Sequence, residues 1–185
     1  MARVGRLRRN PAGGRKHLKN MQKCYTVQHN EHSTQRGFDE VVRVFEAALG
    51  SVEDGGLQTI KNSARSAAEF EDGVRSREGS SGFMRFLTVD HGWMARFGSS
   101  ARSRMYTIGN PLIARTMLEH EVAAGLNVPI RLLIYEDTGS GTTRLAYDLP
   151  SSLMSVFEND KVTAAAKKLD AKLAALAAHA TGAEA

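Results

Sequence analysis

Apolar residues recur along this chain with two different periods, and the alternation between them lays out the fold. Between residues 38 and 49, Phe38, Val41, Val42, Phe45, Ala48 and Leu49 fall three and four apart, the stripe of a helix that buries one face. Asp39 and Glu40 lie in its first turn, where the helix dipole favours acids. Ser33-Thr34 offers a cap ahead of it and Gly50 a stop behind it. Runs rich in β-branched, aromatic and aliphatic residues at 24–28, 83–89, 104–108, 130–136 and 142–147 predict strands, and the last two are joined through the hairpin loop 136–141. On the return strand Thr143, Leu145 and Tyr147 share one face. A short helix is expected at 93–97, and a longer one at 112–124 follows the Gly109-Asn110-Pro111 turn and stops at Gly125. A long helix is expected at 153–178, interrupted near Glu158-Asn159-Asp160.

One stretch breaks the pattern. Residues 51–82 are mostly polar, open at Gly55-Gly56, close at Gly79-Ser80-Ser81-Gly82, and carry only a weak stripe through Leu57, Ile60, Ala64, Ala67, Ala68 and Phe70. They read as an insertion with a short surface helix between loops. The order of elements predicts an α+β fold: a mostly antiparallel, curved sheet with helices packed on one face.

Charge changes the picture at the N-terminus. Residues 1–23 hold Arg3, Arg6, Arg8, Arg9, Arg15, Lys16, Lys19 and Lys23 without a single acid, and the remainder holds 17 basic and 20 acidic side chains. The basic character therefore belongs to an arm, residues 1–22, and not to the folded body at 23–178; residues 179–185 read as a flexible tail. The arm reads as a nucleic-acid- or membrane-surface-binding extension, an organelle-targeting segment, or a dispensable piece ahead of Met21. No apolar run reaches the roughly 18–20 residues of a membrane span. The single cysteine, Cys24, is in keeping with a reducing cytoplasm.

Candidate chemistry sits at strand ends. Asp90-His91 closes the 83–89 strand beside Gly92 and the only tryptophan, Trp93. Histidine titrates near neutrality and a carboxylate can orient it, so His91 and Asp90 are the candidate catalytic pair. Asp90 has a plain structural reading as well, as the cap of the helix at 93–97. Asn110, Arg131, Tyr147 and Asp148 are the candidate ligand-binding residues. His29 and His32 fall on opposite faces if extended, which argues against a shared metal. Walker, dinucleotide-binding, zinc-spacing and nucleophile-elbow motifs do not occur. Three functions follow: a small-molecule-binding domain with a pocket near Asp90-His91 and Asn110; an enzyme using His91 as general acid/base or as a metal or haem ligand; and an interaction protein acting through the arm. The first two require His91 to lie near Asn110 or Tyr147.

Four ordered blocks carry a resemblance. Val89-Asp90-His91, Ile108-Gly109-Asn110-Pro111, Pro129-Ile130-Arg131-Leu132-Leu133-Ile134-Tyr135-Glu136-Asp137 and Tyr147-Asp148-Leu149-Pro150 resemble successive blocks of the domain of unknown function 302 family, over about residues 24–178. The resemblance implies a TBP-like β-α-β-β-β-β-α core and a homodimer, and no activity. The long segment 51–82 and the basic arm depart from the family pattern.

Overall fold

A computed structural model describes residues 22–183. Its strands are β1 (His29–Thr34), β2 (Gly50–Ser51), β3 (Met84–Asp90), β4 (Ser103–Gly109), β5 (Ile130–Asp137) and β6 (Thr142–Asp148). Its helices are α1 (Phe38–Ala47), α2 (Gly56–Ser63), α3 (Ala67–Arg75), α4 (Pro111–Leu118), α5 (Pro150–Leu153) and α6 (Asp160–Thr181). The strands form one sheet in the order β1-β6-β5-β4-β3-β2, antiparallel throughout except for the short β2–β3 pair. The α+β, mostly antiparallel architecture is the expected one.

Period-two alternation fixes which face is buried. Tyr106 and Ile108 of β4, Leu132 and Ile134 of β5, and Leu145 and Tyr147 of β6 point to one side and are buried. They meet Phe38, Val41, Val42 and Phe45 of α1 and Val162, Leu169, Leu173 and Leu176 of α6 in the main core. Each fully buried Leu or Phe contributes about 1.5–3 kcal/mol of transfer free energy. Alternate residues such as Met105, Arg131, Leu133, Tyr135 and Arg144 lie on the other face, which no helix covers as completely.

Several boundaries differ from the sequence reading. The first strand is at 29–34 and not at 24–28, which is extended and exposed. Pairing overrides β propensity here: the polar His29-Asn30-Glu31-His32 run registers against Asp148, Tyr147, Ala146 and Leu145 at the sheet edge, where one side of the strand faces water. The cap of α1 is Gly37 with no side-chain bond, so Ser33-Thr34 does not serve it. Gly50 does not stop α1; the helix ends at Ala47 with Ala48 as its C-cap, and Gly50 enters β2. A Cβ on Gly50 would fall 1.7 Å from the Arg77 carbonyl oxygen, and one on Gly79 2.4 Å from the Ala48 carbonyl oxygen. The two glycines let segments 48–50 and 77–79 run against each other. Helix α4 ends at Leu118, and a separate 3₁₀ turn spans Val122–Asn127. Residues 179–181 belong to the last turn of α6: Ala180 and Thr181 are buried, and the Thr34 hydroxyl donates to the Thr181 carbonyl at 2.8 Å.

The polar segment holds two helices instead of one. Val52 and Val74 pack with Met84 in a second small core, joined by Leu57, Ile60, Phe70, Phe86 and Leu112. Its closing turn is bonded, since Ser81 donates from both its amide and its hydroxyl to the Ala48 carbonyl, at 3.0 and 2.8 Å.

Candidate functional site

The clearest concavity is built where β4 hands over to α4. Proline at the first helical position of α4 suits the helix start, and Asn110 is its cap, with Oδ1 accepting from the Leu112 amide at 2.8 Å. The same side chain donates from Nδ2 to Glu78 Oε2 at 2.7 Å and to the Gly82 carbonyl at 2.9 Å. Asn110 thus ties together the end of β4, the start of α4 and the turn before β3. These bonds use both of its amide protons, so it offers a ligand no free donor.

Beneath this cap lies a cavity of about 340 Å³ between α4, the segment 125–130, the sheet and α6. Phe83, Phe86, Ile108, Met117, Leu118 and Ile130 form its wall, with Gly109 and Gly125 thinning it. Asn110 is its only polar side chain among the described residues. A larger open groove of about 640 Å³ adjoins it and shares Asn110, Ile113 and Leu169. Arg75, Lys161, Lys168 and Lys172 border that groove, with Glu78, Glu119 and His120. The ionic rim contrasts with the apolar lining of the first cavity.

The residues singled out from sequence fall into separate places: Asp90-His91, Asn110, and the group Arg131, Tyr147 and Asp148. His91 follows β3 at the end where Asp90 pairs with Arg104, whereas Asn110 follows the far end of β4, where Gly109 pairs with Met84. The length of β4 separates them by about 20 Å. Tyr147 lies on β6, with β5 and β4 between it and β3, and it points into the helix-covered face. The expectation that His91 lies near Asn110 or Tyr147 is therefore corrected. The cause is strand length: a turn at one end of a hairpin and a turn at the other end stay a full strand apart.

Asp90 does not orient His91. Its Oδ1 accepts from the Gly92 amide at 2.7 Å and its Oδ2 from Arg104 at 2.9 Å. Those two partners, the amide first, hold its carboxyl below the ordinary range. His91 Nδ1 instead meets the Ser103 hydroxyl at 3.1 Å. His91 does not line the cavity under α4, the adjoining groove or the shallow depression at Arg131 and Asp148. Among the described residues no three His, Cys, Asp or Glu side chains gather in a way that would hold a metal ion.

Arg131, Tyr147 and Asp148 do come together, with His29, around a shallow depression of about 370 Å³ at the sheet. His29 Nδ1 lies 2.7 Å from Asp148 Oδ1. Tyr147 meets His32 on the covered face, with stacked rings 6.0 Å apart, and burial raises the Tyr147 pKa and lowers that of His32. His29 and His32 thus take opposite faces of β1.

The sequence reading missed the cavity wall and the groove lysines. The wall comes from five separate segments, and no single periodicity marks it. Lys161, Lys168 and Lys172 carry a legible signal, a spacing of seven and four that places them along one face of α6.

Fold and site define an α+β domain with one sheet, helices on one face, and an apolar cavity under the α4 cap. A family model described as "Domain of unknown function DUF302" matches residues 58–180. The chain belongs to this family. A crystal structure of an uncharacterised conserved DUF302 protein from Bacillus stearothermophilus superposes with a TM-score of 0.58 at 16% identity, covering 82% of this chain and 97% of that one. At that identity the likeness is one of fold. Two curated relatives are fluoride-specific ion channels named FluC 1, from Brucella suis biovar 1 and Brucella abortus biovar 1, each 33% identical over 107 residues. The match takes in 57% of this chain and 41% and 39% of those proteins, so the chain spans about two fifths of their length. No helix among the described residues is long and apolar enough to cross a membrane.

Proposed function

We propose that this protein binds a small, predominantly apolar molecule in the cavity under α4. One observation carries the reading: a space of about 340 Å³ is walled by aromatic and aliphatic side chains, and its single polar side chain, Asn110, is already committed to structural bonds. That volume falls at the lower end of the roughly 300–1,000 Å³ typical of small-molecule sites. Octanol, a neutral probe, tests it by titration calorimetry. Octanol should bind, and Ala114→Phe, which pushes a ring into the cavity from α4, should weaken binding at least about tenfold. Equal binding by wild type and variant would remove the cavity from the account.

A second reading rests on the contact of His91 Nδ1 with the Ser103 hydroxyl at 3.1 Å. A histidine so placed can take a proton from the serine, which favours a hydrolytic role on the open face. Esterase activity lost in both His91→Ala and Ser103→Ala would support it; activity indifferent to both would not.

The same side of the molecule carries an exposed apolar cluster. Trp93, Met94 and Phe97 in the turn after β3, with Leu87 on that strand, are 54, 37, 76 and 49% exposed. We assign the homodimer contact that the family resemblance implies to this cluster. The fluoride conduction named for the Brucella relatives is not extended to this chain, which spans about two fifths of those proteins.

A further inference from the structure

The cavity and its neighbouring groove differ in chemistry, and the difference names a ligand class. The groove is bordered by Arg75, Lys161, Lys168 and Lys172 against Glu78 and Glu119. Glu78 accepts from Asn110, and Glu119 lies beside His120 at 3.6 Å. Ion pairs elsewhere engage Arg77 with Asp54 and Arg115 with Glu71, but none among the described residues engages the four groove cations. The groove therefore holds more cationic than acidic side chains beside an apolar pocket.

Position along α6 makes the juxtaposition specific. Lys168 precedes Leu169, which lines both spaces. Lys172 lies one turn further on, its ammonium 5.7 Å from the centre of the Phe83 ring, and Phe83 is part of the cavity wall. A Cβ on Gly82 would sit 3.2 Å from the same ammonium, so Lys172 stands beside the turn that Asn110 grips. The two lysines thus line the groove that adjoins the apolar space, Lys172 over one of the rings of the cavity wall.

We propose that the ligand is an amphipathic anion, an aliphatic carboxylate whose chain enters the α4 cavity and whose head lies between Lys168 and Lys172. This rests on the cavity reading above and adds the charge of the ligand to it. The chain leaves water for the apolar wall, and the carboxylate meets two ammonium groups that make no ion pair among the described residues.

Octanoate and octanol separate the two layers. Titrated against the whole chain, octanoate should bind at least about tenfold more tightly than octanol. The gap should narrow with added salt and close in Lys168→Ala/Lys172→Ala, while octanol affinity stays unchanged. Both lysines are exposed, so an unchanged thermal melt of the variant is expected and checks its fold. Equal binding of the two probes, or an octanoate preference that survives loss of both lysines, would overturn the anionic ligand and leave the cavity reading standing. Binding of neither probe would overturn both.

Discussion

Asn110 shows how a side chain picked out from sequence can hold its place for a different reason. It stands in a strand-to-helix turn, and the sequence reading took it for a ligand contact. In the structure it is a buried cap that also bonds two residues of the turn before β3, Glu78 and Gly82. Removing it leaves a helix amide, a carboxylate and a carbonyl without a partner. Asn110→Ala should cost about 1–3 kcal/mol in urea unfolding, and Asn110→Asp should also weaken the domain by setting a second carboxylate against Glu78. Glu31 makes a milder prediction. The Tyr135 hydroxyl, and after it Arg144, hold its pKa below the ordinary 4.5. A depressed folded-state value means the stabilisation is full above that pH and is lost as pH falls through the folded value. At 33% side-chain exposure the contribution is screened, so Glu31→Gln should cost about 0.5 kcal/mol at pH 7. The cost should vanish in strong acid, as stability curves of both proteins against pH would show. Such contacts are not legible in sequence, because Glu31, Tyr135 and Arg144 come from three different strands.

Elements were more legible than their partners. The α1 stripe, the β5–β6 hairpin and the break before α6 all follow from local periodicity and from Asn159, which caps α6 by accepting from the Lys161 and Val162 amides. The first strand was misplaced by its neighbours. The apolar run at 24–28 looks more like a strand than His29-Asn30-Glu31-His32, yet only the latter has β6 beside it. The segment 51–82 was underestimated because Val52 and Val74 find Met84 only in three dimensions. Met84→Ala should therefore cost about 2–5 kcal/mol, as a large-to-small change at a fully buried site. Gly50→Ala should be as damaging for a backbone reason, since its methyl would meet the Arg77 carbonyl at 1.7 Å. Far-UV melts of both variants measure this. If Gly50→Ala melted like wild type, segments 48–50 and 77–79 would not be packed as described.

Over the whole molecule, the sheet order decides what can meet. It places β3 near one edge and β6 near the other, so Asp90-His91 and Tyr147-Asp148 were never neighbours despite their resemblance to successive family blocks. What those blocks share is the framework. The cavity arises from the joining of β4, α4, the 125–130 segment and α6, a convergence that no local pattern announces. The exposed Trp93-Phe97 pair predicts association: native mass spectrometry should show a dimer, and Trp93→Ser/Phe97→Ser a monomer of the same fold. The basic arm lies outside the described residues but for Gln22. An interaction through it would show as nucleic-acid binding that falls steeply with salt and disappears on deletion of residues 1–20.

The central claim is that ligand enters beneath the α4 cap, and amide chemical shifts on adding octanol test it most directly. Shifts should concentrate in the Gly109-to-Leu118 segment, at Gly125 and around Leu169, with His91 and the turn after it unmoved. Shifts centred on His91, Ser103 and Trp93, or none anywhere, would contradict it.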